Sequence, residues 1–381
     1  MRSLVSGIKS FSRLAGSRSV SYTTTSQPKR GDRVVVAMSG GVDSSVSAAL
    51  LKEKGFDVQG IYMRNWDSTD ENGECTSKED WKDVQNVCNL LDIPCQHVDF
   101  VKEYWQDVFE STLEDYSRGI TPNPDIGCNS YIKFGALLNK IPNEAWFATG
   151  HYCRSVDGKL LRGLEKKKDQ SYYLSTVPEK ALRRTLFPLG EFESKQKVKE
   201  LAIRFGLVDI ASKKESMGIC FVGQRKKFAD FLEQYIDQPP GPAVNLEGEV
   251  IGQHNGLYGY TIGQASRICH GSDKWFVAQK LMDSNTLVCV PGSNHPALFH
   301  NGCMARDWVW IHGQAPYNKT LFEVDAQVRY RQSPEKAILS IENGQISVRF
   351  KDPVRAIARG QQVVVWDQDW CLGGGAIESV F

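Results

Sequence analysis

Apolar positions along the chain fall into two textures that change near residue 240. In the first, short β-branched runs alternate with longer stretches whose apolar residues recur every three or four positions. Residues 33–38 (RVVVAM) read as a buried strand. Residues 42–54 carry helical spacing through Val42, Val46, Ala49 and Leu50, with Gly55 placed to end the helix. The same reading gives strands at 58–63, 95–100 and 145–149, and helices at 78–91 and 103–116. Strand–helix alternation predicts an α/β fold, a doubly wound parallel sheet with helices on both faces, over about residues 31–222.

Beyond Pro239-Pro240-Gly241-Pro242 the segments become short and rich in Val, Tyr and Gly. Leu257–Ile262, Trp275–Gln279 and Leu287–Val290 predict a small β-containing central module over 223–300. From 301 to 381 the pattern is all-β. Ile338–Ile341, then Asn343-Gly344, then Ile346–Phe350 is a hairpin signal, because that dipeptide favours positive φ. Val363–Trp366 and a Gly373-Gly374-Gly375 bend continue it, and a C-terminal β-barrel is expected.

The composition, 41% hydrophobic and 24% charged over 381 residues, excludes a disordered chain. No run approaches the roughly 18 apolar residues of a membrane-spanning helix, so no membrane partner is expected. Ten cysteines without C-x-x-C spacing argue against a disulfide scaffold and against zinc. Cys75, Cys88 and Cys95 with His97 nearby read as ordinary thiols.

Charge changes the picture twice. Residues 1–30 hold six cations, eight serines and no acid, the signature of an organelle transit peptide, and a mitochondrial matrix address is expected. Residues 31–153 carry 10 basic and 20 acidic side chains, whereas 154–227 carry 18 and 9. The basic middle, with Lys166, Lys167, Lys168, Lys213, Lys214 and Arg225 to Lys227, suits a polyanion, although charge runs are often only solvated faces.

Three motifs carry chemistry. Ser39-Gly40-Gly41-Val42-Asp43-Ser44-Ser45 lies between a strand and a helix, where small residues let backbone N–H groups face an anion at the helix N-terminus. It is not a Walker A loop, and it resembles the PP-loop of the ATP pyrophosphatases. Thr121-Pro122-Asn123-Pro124-Asp125-Ile126-Gly127-Cys128-Asn129 holds a carboxylate and a thiol three residues apart, fit for a base and a nucleophile or simply for a rigid loop. Glu215 to Phe221 places Cys220 among cations that favour a thiolate.

With 148–152 (ATGHY), 168–174 (KDQSYYL), 328–332 (VRYRQ) and 371–375 (CLGGG), these motifs resemble the tRNA-specific 2-thiouridylases from about residue 33 to the C-terminus. The acid-free leader points to the mitochondrial branch. The resemblance implies that Ala37, Met38, Ser39, Gly40, Gly41, Val42, Asp43 and Ser44 cradle ATP, with Met63 and Gly150 lining the adenine pocket. Asn123, Pro124 and Asp125 would surround a flipped uridine, as base chemistry outside the stack requires. Asp125 is the implied base, Cys128 the thiol nucleophile and Cys220 the persulfide carrier. His151, Lys168, Asp169, Gln170, Arg329, Tyr330 and Gln361 would touch tRNA, although Asp169 and Gln170 also suit a turn cap.

The implied reaction uses ATP with Mg²⁺ to adenylate O2 of wobble uridine 34 in mitochondrial tRNAs, then replaces that oxygen with persulfide sulfur. A Cys128–Cys220 disulfide would remain, with no metal bound by the protein, a persulfide relay protein as donor and no DNA partner. The chain departs from the family's basic, glycine-rich run by reading Gly263 to His270 as GQASRICH. Two other readings compete. A small-molecule adenylating PP-loop enzyme leaves both cysteines unexplained, and an idle RNA-binding protein leaves the phosphate loop unexplained.

Overall fold

The computed structural model describes residues 27–66, 76–213 and 228–381. Its first sheet is parallel, in the order β3-β2-β1-β4-β7. The strands are β1 (Arg33–Met38), β2 (Asp57–Arg64), β3 (Cys95–Asp99), β4 (Trp146–Ala148) and β7 (Thr185–Leu186). Period-two alternation on β1 divides the core. Val34 and Val36 pack with α1 (Val42–Glu53), α2 (Thr76–Leu90) and the helix Lys195–Arg204. Val35 joins Ile61, Phe147 and the helices 101–117 and 124–140 on the other face. A Schellman turn closes α1, with Phe56 N–H donating to Leu51 O at 3.2 Å and Gly55 N–H to Lys52 O at 2.9 Å. Both helices on the second face are wound partly as π-helix, at Trp105–Phe109 and at Cys128–Leu137.

One hairpin inside the expected parallel-sheet region belongs elsewhere. β5 (Cys153–Val156) and β6 (Lys159–Arg162) are antiparallel, and β6 pairs with the last strand of the chain, Leu160 opposite Cys371 and Leu161 opposite Trp370. Four-residue strands set among charges carry too little alternation to reveal this in the sequence. The central module is a five-stranded sheet, β10-β11-β12-β8-β9, made of β8 (Gly241–Val244), β9 (Val250–His254), β10 (Ala265–His270), β11 (Asp273–Leu281) and β12 (Thr286–Pro291). Leu257–Ile262, expected within the β pattern, is a short 3₁₀ turn and loop. The divergent 265–270 stretch forms β10 against β11.

The C-terminal barrel runs β13-β16-β15-β14-β17-β18 and closes through β13–β18 pairing. Its strands are β13 (Phe299–Trp310), β14 (Leu321–Gln327), β15 (Glu335–Glu342), β16 (Gln345–Arg355), β17 (Gln362–Asp367) and β18 (Trp370–Val380). The Asn343-Gly344 turn has φ of 51° and 79°, as expected. Gly373 to Gly375 make no bend between strands. They lie inside β18, where backbone atoms of Val309, Val363 and Arg306 stand 2.1 to 2.8 Å from where a Cβ would be.

Candidate active site

The nucleotide loop sits at the carboxyl ends of β1 and β4, where strand order reverses, the usual ligand crevice of such sheets. Gly40 has φ +73°, and a Cβ there would stand 2.9 Å from Asp80 O on α2. Gly41 is the N-cap of α1 in extended conformation with no side-chain cap, so first-turn N–H groups and the helix dipole face the loop. Ser44 Oγ donates to Gly41 O at 3.1 Å, accepts from Ser39 N–H at 3.1 Å and lies 3.2 Å from Ser39 Oγ. Met38 and Val42 are buried in the core, so only their backbone can meet a ligand; Ala37 is half-buried.

Asp43 is held on both oxygens by Lys195 Nζ at 2.6 Å, and Tyr152 OH donates to it at 2.8 Å. Gly150 lies against the start of α1, where a Cβ would be 2.8 Å from Asp43 C and Ser44 N. Met63 is half-buried at the carboxyl end of β2. Burial raises the Asp80 carboxyl above its usual range, against the pull of Lys213, and Lys213 pairs with Asp83.

The second motif forms a loop tied to all three domains. Thr121 N–H donates to Arg359 O at 2.9 Å, and Gln361 Nε2 donates to Thr121 O at 2.9 Å and Pro122 O at 3.3 Å. From the central module, Lys280 Nζ donates to Thr121 Oγ1 at 3.5 Å; burial pushes this ammonium down to about 7. Pro124 occupies the first helical turn after the extended Asn123, where its fixed φ suits a start. A cavity of about 380 Å³ opens here, lined among others by Asn123, Pro124, Asp125, Thr261, Arg329 and Gln361. Burial raises the Asp125 carboxyl, partly offset by Lys133. Cys128 follows one turn later, buried, with Asn65 Nδ2 3.9 Å from its sulfur. Among the described residues the Asn65 and Asn129 side-chain oxygens are buried without a partner.

A larger cleft of about 970 Å³ lies between residues 162–169 and the barrel, lined by Lys166, Lys167, Lys168, Tyr330 and Arg331 among others. Of the residues expected to touch tRNA, Lys168 and Tyr330 face this cleft, and Tyr330 packs 4.3 Å from the Tyr173 ring. Asp169 also lines it, yet its carboxylate accepts from Gly163 N–H, Ser171 N–H and Ser171 Oγ and pairs with Arg162 at 3.7 Å. Gln170 Oε1 accepts from Tyr152 N–H at 3.0 Å. His151 is buried beside Thr149 Oγ1 at 2.8 Å, and burial holds its imidazole well below the usual range. Arg329 lines the smaller cavity while donating to Ile262 O and Ala356 O. Cys220, Lys214 and Arg225 to Lys227 lie outside the described residues.

Sequence reasoning missed Asn65, Lys133, Tyr152, Lys195 and Lys280. Asn65, Lys195 and Lys280 are brought in by distant contacts that no local pattern signals. Two sit within reach of a motif: Tyr152 ends the 148–152 motif, and Lys133 lies five residues after Cys128.

Residues 32–224 match a family model described as tRNA methyl transferase HUP domain. Residues 229–291 match the tRNA methyl transferase PRC-barrel domain, and 300–377 the aminomethyltransferase beta-barrel domain. The tRNA-specific 2-thiouridylase MnmA of Staphylococcus aureus strain JH9 is 46% identical over 359 residues, 92% of this chain and 96% of its own, and the protein of strain Newman matches equally. Among solved structures, NMN synthetase from Francisella tularensis aligns at 16% identity and TM-score 0.33, over 55% of this chain and 79% of its own. The U34-tRNA thiolase NcsA from Methanococcus maripaludis aligns at 18% and 0.30, over 51% and 63%. At those scores neither structure carries a functional argument.

Proposed function

The chain belongs to the tRNA-specific 2-thiouridylase family, and on that premise we propose how its residues exchange a uridine oxygen for sulfur. It is an ATP-dependent tRNA-uridine 2-sulfurtransferase. The observation that carries the residue assignment is the pairing of an uncapped phosphate loop with the Asp125–Cys128 turn, both reached from the carboxyl edge of one sheet.

First-turn N–H groups of α1 and the Ser39 hydroxyl bind the phosphates of ATP. Among the described residues no three His, Cys, Asp or Glu side chains cluster for a metal, and Asp43 is already held by Lys195. Mg²⁺ is read as part of the substrate MgATP. Uridine occupies the 380 Å³ cavity. Asp125 accepts the N3 proton, O2 attacks the α-phosphorus and pyrophosphate leaves. The Cys128 thiolate then attacks the inner sulfur of a Cys220 persulfide, forming a Cys128–Cys220 disulfide and releasing hydrosulfide. Hydrosulfide adds to C2, and AMP departs with the former O2. A thiol reductant supplies the two electrons that reopen the disulfide. The role of Cys220 rests on its motif alone.

Two finer assignments complete the reading. The basic, acid-free residues 1–30 support a mitochondrial matrix address. The substrate is then uridine 34 of mitochondrial tRNAs, with a persulfide relay protein as donor. The test incubates purified full-length protein with unmodified tRNA, MgATP and a persulfide sulfur donor, and reads position 34 by mass spectrometry. Exchange of oxygen for sulfur, dependent on ATP and lost in Cys128→Ser with tRNA binding kept, is the expected result. No ATP-dependent exchange of oxygen for sulfur at position 34 would overturn it. Unchanged product from Cys128→Ser would remove that thiol from the scheme.

A further inference from the structure

We propose that Lys133 is a further catalytic residue, the cation that holds the α-phosphate of ATP between the uridine loop and the nucleotide loop while O2 attacks. This rests on the thiolation reading above. The helix 124–140 begins with α winding, so Asp125 and Cys128, three residues apart, share a face. From Cys128 it is wound as π-helix to Leu137, closing each turn five residues on. Lys133, at Cys128 plus five, therefore stands over Cys128. Continued α winding would have turned it about 140° away. The change of winding puts a carboxylate, a thiol and an ammonium on one face.

The Lys133 charge also reaches His151, in the segment that abuts the nucleotide loop. The neighbour of Lys133, Phe134, has its ring 6.2 Å from His151, and His151 follows Gly150, which abuts Asp43 and Ser44 at the head of α1. The Lys133 charge acts on both Asp125 and His151. Lys133 is half-buried and makes no ion pair among the described residues, and Asp125, its acidic neighbour, is itself pushed toward the neutral form by burial. A partly desolvated ammonium without a carboxylate bond is matched by an anion from the substrate. Of the other cations near the loop, Lys195 is held by Asp43 and Lys213 by Asp83. Of the groups in the reaction, the α-phosphate is the anion that must lie between uridine O2 and the loop, and charge builds there in the transition state.

The experiment measures tRNA-dependent pyrophosphate release by full-length Lys133→Met and Lys133→Arg at saturating ATP and tRNA, across the neutral pH range. Thermal midpoint and tRNA affinity serve as fold controls. Lys133→Met is expected to lower kcat about 10²–10³-fold at every pH with both controls unchanged, and Lys133→Arg to recover most of it. Asp125 is faced by Lys133 from its own helix, by Tyr173 from the 171–174 turn and by Tyr330 from the barrel. If Lys133 served only to keep Asp125 ionised, the loss would vanish as pH rises, and that outcome overturns the proposal. So does an unchanged kcat in Lys133→Met. If the wild type releases pyrophosphate without tRNA, the thiolation reading fails instead. The Lys133→Met loss is then read on that release, where an unchanged rate overturns the proposal.

Discussion

Removing Lys195 tests the geometry of the phosphate loop through an ion pair that joins residues 152 positions apart. Its ammonium lies 2.6 Å from each Asp43 oxygen, with the two side chains 13% and 34% exposed. An exposed pair contributes about 0–1 kcal/mol, and breaking a fully buried one costs about 3–5 kcal/mol. Discounting for the solvent reaching Asp43, Lys195→Met should cost about 2 kcal/mol. For a unit the size of the parallel-sheet domain that lowers the thermal midpoint by about 4–8 °C. The freed carboxylate also faces the bound phosphates, and KM for ATP should rise about tenfold, equivalent to about 1.4 kcal/mol. Asp43→Asn, Lys195→Met and the double variant form a cycle whose coupling isolates the pair. Chemical denaturation of the four proteins gives the coupling, and pyrophosphate release gives KM. A coupling below about 0.5 kcal/mol together with an unchanged KM would refute the assigned loop geometry.

Three further outcomes follow from the site. Burial raises the Asp125 carboxyl, so the fold binds its proton more tightly than the unfolded chain does, and stability falls as pH rises from the unfolded value near about 3.9 through the folded one. Asp125→Asn should therefore melt higher than wild type at neutral pH while losing pyrophosphate release; a lower midpoint contradicts this. Lys280 is shifted the other way, down to about 7, so wild-type stability should rise with pH between about 7 and about 10.4. Lys280→Met should flatten that part of the pH–stability curve, and an unchanged slope would sink the assignment. Gln361→Ala removes two hydrogen bonds to the Thr121 and Pro122 carbonyls, each contributing about 1 kcal/mol, and should weaken tRNA turnover about tenfold with ATP binding unchanged. Equal losses for ATP and tRNA would argue against a local effect.

What was legible in the sequence is what depends on near neighbours. The β1–loop–α1 unit could be read because a continuous β-branched run, three small residues and a helical stripe follow one another within about one turn of chain. Asn343-Gly344 was legible for the same reason, since the turn's positive φ values are written in the dipeptide. The hairpin at 153–162 was not, because its pairing partner is more than 200 residues away. Nor were the π windings, which change no apolar periodicity strongly enough to notice. Asp169 shows the limit most plainly. The sequence offered it as a tRNA contact or a turn cap; the fold makes it a cap, its carboxylate accepting from three donors and pairing with Arg162, which no local pattern names.

The long-range pairings that escaped the sequence are also what make the proposed uridine cavity. A short stretch of the barrel, residues 359–371, supplies the Arg359 carbonyl to Thr121 and the Gln361 amide to the same loop. The Gln362 carbonyl accepts from Tyr172, and the Trp366 indole N–H donates to Ser171. Arg162 stacks 3.9 Å over Trp366, and Cys371 pairs with Leu160. Every one of these contacts ends on the first domain, between the proposed uridine loop and the lysine-lined cleft. The barrel therefore forms a wall of the active site as well as a separate core. Arg329 and Lys280 complete the enclosure by tying the central module to the barrel and to Thr121. The phosphate loop needs only its own sheet and helices, whereas the cavity at Asp125 exists only when all three domains meet. ATP binding should thus survive perturbations of the barrel that abolish tRNA-dependent chemistry, and this asymmetry is the physical reason an ATP-binding fold acts on a nucleotide held in RNA.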